Sequence, residues 1–140
     1  MAILCVDDYE PYLHLIVKTL ERAGDIVFGT SDPRHGLLIA TTGNDVRMVI
    51  TDYILPYTSG ERLAMEIRKS RPWMPIILLT LTDEDLKCGV CDLYLRKGFS
   101  RNPALLLHVA DLLGSREGQY GGTNGARKSA GRIEGLPKAC

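Results

Sequence analysis

Four short stretches of this chain are apolar almost without interruption, and each runs into a polar residue: Ile3-Leu4-Cys5-Val6 before Asp7 and Asp8, Met48-Val49-Ile50-Thr51 before Asp52, Ile76-Ile77-Leu78-Leu79 before Thr80, and Leu93-Tyr94-Leu95-Arg96 before Lys97. Runs this short and this rich in Ile, Leu and Val predict strands buried on both faces of a parallel sheet. Between them the period changes. Leu13, Ile16, Val17 and Leu20 recur at i, i+3, i+4 and i+7, Pro11 suits a first helical turn and Gly24 a stop, which predicts a helix from Glu10 to Ala23. Asp25 to Thr30 reads as a second strand, and Asp32-Pro33 caps a second helix that ends before Gly43. Ser59 caps a third helix, with Leu63 and Ile67 inward and Pro72 ending it. Asn102-Pro103 opens a last one, whose Leu106, Val109, Ala110 and Leu113 face the sheet before Gly114. Strand and helix alternating at these spacings predict an α/β fold with a parallel, right-handed, doubly wound sheet.

Such sheets bind their ligands outside the carboxyl ends of the strands, so Asp7, Asp8, Asp52, Thr80 and Lys97 are predicted to converge on one crevice. Three carboxylates held together repel, and a hard divalent cation relieves the repulsion. Mg²⁺ fits, since it takes one or two protein carboxylates, keeps waters and draws further ligands from a phosphate. The lysine and the hydroxyl supply a positive charge and a hydrogen-bond donor for the oxygens of a transferring phosphoryl group. Asp52 is then the nucleophile, because an aspartate can carry a phosphoryl group as an acyl phosphate. The chemistry expected is phosphoryl transfer to Asp52.

The chain resembles the response-regulator receiver domains of two-component signalling and chemotaxis. The segments that carry the resemblance are Leu4-Cys5-Val6-Asp7-Asp8, Val49-Ile50-Thr51-Asp52-Tyr53-Ile54-Leu55-Pro56, Ser59-Gly60, Pro75-Ile76-Ile77-Leu78-Leu79-Thr80 and Asp92-Leu93-Tyr94-Leu95-Arg96-Lys97, in the family's order between about Ile3 and Gly114. The resemblance implies a flavodoxin-like, five-stranded parallel sheet of strand order 2-1-3-4-5. It implies Asp52 as the phosphoacceptor, Asp7 and Asp8 as Mg²⁺ carboxylates, and the backbone carbonyl of Ile54 as a further ligand. It also implies Thr80 as the switch hydroxyl, Lys97 as the counter-ion of the phosphoryl group, and Tyr94 as an aromatic that swings between outward and inward rotamers. The implied partners are a sensor histidine kinase or phosphotransfer protein and a downstream protein or a second copy of the chain. Catalysis is limited to the domain's own phosphorylation and dephosphorylation, so it is not an enzyme in the ordinary sense.

Three features depart from the family pattern. Leu81 stands where the residue after the switch hydroxyl is usually Ala or Gly, and Gly98 stands where a cis-proline usually follows the lysine. Only sixteen residues separate Thr80 from Lys97, which shortens the predicted fourth helix to a stub around Asp83 to Lys87. These departures leave open a second reading, a phosphorylation-independent receiver-like interaction module. A phosphatase on a related fold would need a second acid two positions after its nucleophile, where Ile54 stands.

Composition narrows the setting. The 140 residues suit one domain with a sizeable core, no apolar run approaches the roughly 18 residues of a membrane span, and the N-terminus enters a strand directly, so a cytoplasmic protein without membrane association is expected. The net charge of zero is unevenly spread. From Ser115 on, Arg116, Arg127, Lys128, Arg132 and Lys138 outnumber Glu117 and Glu134 and six glycines intervene, so residues 1–114 read as the receiver domain and 115–140 as a flexible, Gly-rich basic tail. No DNA-binding helix pair follows, and nucleic acid is not an expected partner. Cys5 reads as a small buried hydrophobe. Cys88-Gly89-Val90-Cys91 lacks the second pair a structural zinc needs, and His14, His35 and His108 are scattered on different predicted helices.

Overall fold

A computed structural model describes residues 2–43, 45–81 and 90–97. In chain order it holds β1 (Ala2–Val6), α1 (Glu10–Arg22), β2 (Ile26–Thr30), α2 (Pro33–Thr42), β3 (Val46–Asp52), β4 (Ile54–Leu55), β5 (Thr58–Ser59), α3 (Gly60–Ser70), β6 (Ile76–Thr80) and β7 (Leu93–Arg96). The principal sheet is parallel throughout and runs β2-β1-β3-β6-β7. That is the expected order 2-1-3-4-5 once the two-stranded ladder of β4 and β5 is set aside.

Period-2 alternation divides the strands between two cores. Ile3, Cys5, Met48, Ile50, Ile77, Leu79, Leu93 and Leu95 pack with Leu13, Ile16 and Leu20 of α1 on one face. Leu4, Val6, Val49, Ile76, Leu78 and Tyr94 pack with Ala40 of α2 and Leu63, Ala64 and Ile67 of α3 on the other. A strand buried on both sides has no polar face to display, which is why its sequence is a run rather than an alternation. Each fully buried Ile, Leu or Val contributes about 1.5–3 kcal/mol.

The helix boundaries follow their caps. Asp32 Oδ1 accepts the Arg34 N–H and Ser59 Oγ accepts the Arg62 N–H, each starting a helix where the sequence predicts one. α1 ends at Arg22, one residue before the expected stop, because Ala23 is the C-cap and Gly24 takes the positive φ of +98° that turns the chain out. β2 begins at Ile26, one residue after the expected start.

The β4–β5 ladder was not expected from the sequence. Ile54 pairs with Ser59 and Leu55 with Thr58, with Tyr57 at a φ of 67° in the turn. The ladder carries the chain from the end of β3 straight into α3. At the far end of the sheet, Arg68 of α3 pairs with Asp92 at 2.7 Å, and the same carboxylate accepts the Ile76 N–H at 2.8 Å. α3, β6 and the approach to β7 are thereby tied together. The predicted fourth helix at Asp83 to Lys87, the helix opening at Asn102-Pro103, Gly98, Cys88, His108 and the 115–140 tail lie outside the described residues.

Candidate functional site

Register brings the polar residues together. Val6 lies opposite Thr51, Asp52 opposite Leu79, and Thr80 opposite Arg96, so Asp7, Asp52, Thr80 and Lys97 all fall within about a residue of one line across the carboxyl edge of the sheet. Oxygens of Asp7, Asp8 and Asp52 lie within 4.8 Å of one another. Asp7 and Asp52 are buried and Asp8 is exposed, so the cluster has a dry floor and one wet wall. Three hard carboxylate oxygens at this spacing are a donor set that suits a small divalent cation.

The acid pair could have served only to cap α1. It does not. The N-cap is Tyr9, whose side chain makes no cap bond, and Asp7 Oδ1 accepts the Tyr9 N–H at 2.9 Å in a tight turn that fixes its carboxylate. Its second oxygen, Oδ2, lies 2.8 Å from Lys97 Nζ and has no hydrogen-bond donor besides that ammonium among the described residues.

Lys97 also reaches Asp52 Oδ1 at 3.3 Å, and its side chain is 8% exposed. The ammonium therefore bridges two buried acids. Burial works to lower the Lys97 pKa, but hydrogen bonding and charge from Asp7, then from Asp52, outweigh it and the net direction is up. Asp52 moves up as well, chiefly because burial disfavours its charged form and secondly because Asp7 is near, with Lys97 opposing both. Lys97 thus stays charged, while Asp52 carries a carboxylate that its surroundings make costly and that a further positive charge would relieve.

Gly60 explains how the acceptor is presented. Its N–H donates to the Tyr53 carbonyl at 2.7 Å, and a β-carbon there would collide with the backbone carbonyl oxygen of Asp52. Only glycine lets the start of α3 sit directly against the end of β3.

The remaining predicted residues fall as follows. Thr80 ends β6 and is buried. Ile54 lies in β4 two residues past Asp52, with its side chain exposed. Tyr94 is buried in β7 and its hydroxyl donates to Glu61 Oε1 on α3 at 3.4 Å. Leu81, the residue after Thr80, is 70% exposed. Two residues the sequence did not single out enter the site's surroundings: Glu61, as the partner of Tyr94, and Tyr12, whose ring centroid lies 4.6 Å from Lys97 Nζ. Tyr12 shares the face of Ile16 by its i, i+4 spacing, the one signal in the sequence that turns it toward the sheet.

Neither described cysteine is a candidate nucleophile. Burial, reinforced by the charge of Asp7, pushes the Cys5 thiol far up, and burial pushes Cys91 up to about 12, so both remain protonated. His35 Nδ1 lies 3.3 Å from the Thr30 hydroxyl and is not a member of the carboxylate cluster.

Comparison with known proteins identifies a family. Residues 3–102 match the family profile of the response regulator receiver domain. The chain is 34% identical over 104 residues to the alkaline phosphatase synthesis transcriptional regulatory protein PhoP of Bacillus subtilis, a match covering 70% of this chain and 42% of PhoP. It therefore spans about two fifths of the length of that relative. It is 31% identical over 133 residues to a chemotaxis protein CheY homolog of Campylobacter jejuni, covering 85% of this chain and 97% of the relative. Among solved structures, the response regulator protein TrrA of Thermotoga maritima, crystallised in complex with Mg(2+)-BeF, aligns with a TM-score of 0.72 at 32% identity, covering 81% of this chain and 99% of that one.

Proposed function

This chain belongs to the response-regulator receiver family, and on that premise we propose that it accepts a phosphoryl group on Asp52 from a histidine kinase or phosphotransfer protein and relays the signal by a change of shape. The observation that carries the proposal is the carboxyl-edge cluster: Asp7, Asp8 and Asp52 within 4.8 Å of one another, with the Lys97 ammonium bridging two of them. Receiver domains are signalling domains that work with such kinases.

Asp7 and Asp8, with Asp52 and the Ile54 carbonyl, are the groups proposed to hold Mg²⁺. An ion held there would offset the repulsion among the acids and would supply positive charge for the phosphoryl oxygens. The chain's own residues do the rest. An Asp52 oxygen forms the new bond to phosphorus as the bond to the donor's imidazole nitrogen, or to the acetate oxygen of acetyl phosphate, breaks, and the leaving group departs with that bond's electrons. In this proposal Lys97 and the Thr80 hydroxyl supply positive charge and a hydrogen bond to the equatorial oxygens. Hydrolysis reverses the acylation: water attacks phosphorus, the Asp52 carboxylate leaves, and inorganic phosphate is released. Thr80 and Tyr94 are the proposed switch, with the Tyr94–Glu61 hydrogen bond belonging to the unphosphorylated arrangement. A cytoplasmic setting is part of the same proposal, and no helix among the described residues is long and apolar enough to cross a membrane.

The test is uptake. Incubated with Mg²⁺ and acetyl phosphate, the protein is expected to gain one phosphate by intact-mass measurement and Asp52→Asn to gain none. A parent whose mass is unchanged with both acetyl phosphate and a cognate kinase contradicts the proposal and favours an interaction module that works without phosphorylation.

A further inference from the structure

We propose that Tyr12 is a positioning residue for phosphoryl transfer: its ring forms the third wall of the seat that holds the Lys97 ammonium beside Asp52. The inference rests on the receiver function proposed above and deepens it, because it concerns how this chain keeps its lysine in place.

Lys97 needs a device of this kind. A lysine stem has four rotatable bonds and no geometry of its own, and the residue that follows is Gly98, which does not restrict the backbone as a proline would. The side chain is nonetheless buried, and its Nζ sits 2.8 Å from Asp7, 3.3 Å from Asp52 and 4.6 Å above the centre of the Tyr12 ring. Those three contacts come from the end of β1, the end of β3 and the first turn of α1. The two acids hold the ammonium along the line between them. The ring face closes the third side, and its negative quadrupole attracts the cation without demanding a hydrogen-bond direction.

That lack of direction suits the reaction. On acylation Lys97 must move from an Asp52 oxygen to a phosphoryl oxygen slightly farther out, and a hydrogen-bonding wall would resist the shift. An aromatic face keeps its attraction while the ammonium slides across it. Tyr12 is itself fixed, since its N–H donates to the Tyr9 carbonyl at 3.1 Å and its ring is partly buried against the core on the α1 side. The same turn places Asp7, whose carboxylate bonds the Tyr9 N–H. One turn of chain thus orients two of the three walls.

The experiment compares the parent with Tyr12→Leu, Tyr12→Met and Tyr12→Phe, in full-length protein. The first readout is the initial rate of phosphate uptake from acetyl phosphate with Mg²⁺. The second is the proton shift of the Lys97 ε-methylene, which the ring current of an aromatic face moves upfield. Loss of the ring in the Leu and Met variants is expected to abolish the upfield shift and to slow uptake roughly three- to tenfold, the range a partly desolvated cation–π contact supports. Phe is expected to restore the shift and most of the rate, which a merely structural role for the hydroxyl would not allow. Parental rates in folded Leu and Met variants overturn the proposal, as does a Phe variant as slow as Leu. A parent that takes up no phosphate overturns the receiver reading and the catalytic part of this inference with it, whereas the methylene shift then still reports whether the ring holds the ammonium.

Discussion

Lys97→Met keeps the apolar stem and deletes the ammonium, so it isolates the charge that lets Asp7 and Asp52 lie side by side. From distances of 2.8 and 3.3 Å, an effective dielectric of about 20 gives roughly 6 and roughly 5 kcal/mol of attraction. The two acids, with oxygens within 4.8 Å, repel by about 3.5 kcal/mol or more on the same scale. Much of the attraction is offset by the cost of burying the ammonium, so the expected net loss is the ~3–5 kcal/mol typical of removing one partner from a buried ion pair. In a domain of about 5–15 kcal/mol total stability, that lowers the melting temperature by roughly 10–20 °C. The loss has a pH signature. Burial first, and Asp7 second, push the Asp52 carboxyl up while Lys97 and the Tyr53 N–H pull it down, and in the variant only the Tyr53 N–H still opposes the upward push. A carboxyl whose pKa is raised by folding costs stability as pH rises through its folded value. The variant's deficit is therefore expected to be small in acid and to grow toward neutrality. Added Mg²⁺ is expected to stabilise the variant by about 2.7 kcal/mol at a hundredfold excess over its Kd, and to stabilise the parent less at the same concentration. Urea unfolding and thermal melts, in acid and at neutrality and with and without Mg²⁺, measure all three effects. A deficit that does not change with pH, together with equal Mg²⁺ gains in parent and variant, would show that the ammonium does not hold the acids together.

Three further substitutions probe the surroundings. Asp8→Ala is expected to abolish phosphate uptake while leaving the metal-free protein as stable as the parent or more so, because it removes one of three mutually repelling carboxylates; melts and intact mass decide it. Gly60→Ala drives a β-carbon into the Asp52 carbonyl, with an expected cost of about 1–3 kcal/mol in urea unfolding and slower uptake in the folded fraction; parental stability would mean that α3 does not seat against β3. Leu81→Ala is expected to change stability by less than about 0.5 kcal/mol, since the side chain is 70% exposed. If leucine shields the acceptor, the same variant speeds both uptake and loss of phosphate in paired time courses, and unchanged rates place the side chain away from the reaction.

The strands and their polar ends were legible in the sequence because burial on both faces forces an unbroken apolar run, and the run stops where the site begins. Asp32 and Ser59 announced their helices by capping chemistry, and both caps form as expected. The β4–β5 ladder was hidden: two-residue strands carry no periodicity, and Ile54-Leu55-Pro56-Tyr57-Thr58-Ser59 reads as a plain turn. Gly60 stood in a recognisable segment, but its reason, contact with the Asp52 carbonyl, depends on how α3 meets β3. Tyr12 and Glu61 were missed because each meets its partner, Lys97 or Tyr94, 33 or more positions away along the chain, a pairing that no local spacing announces. Leu81 illustrates the converse. Its neighbour Thr80 is buried at the strand end, yet Leu81 itself is mostly in solvent, so sequence adjacency to the site did not translate into burial beside it.

The central claim is that Asp52 is the atom-level acceptor, and the most direct test is to trap the acyl phosphate where it forms. After incubation with acetyl phosphate and Mg²⁺, borohydride reduces an aspartyl phosphate to homoserine, and peptide mass spectrometry then locates the converted residue. Conversion at position 52, dependent on Mg²⁺ and absent without the phosphodonor, is the expected result. Conversion at Asp7 or Asp8 instead, or a gain of phosphate that survives in Asp52→Asn, would contradict the assignment.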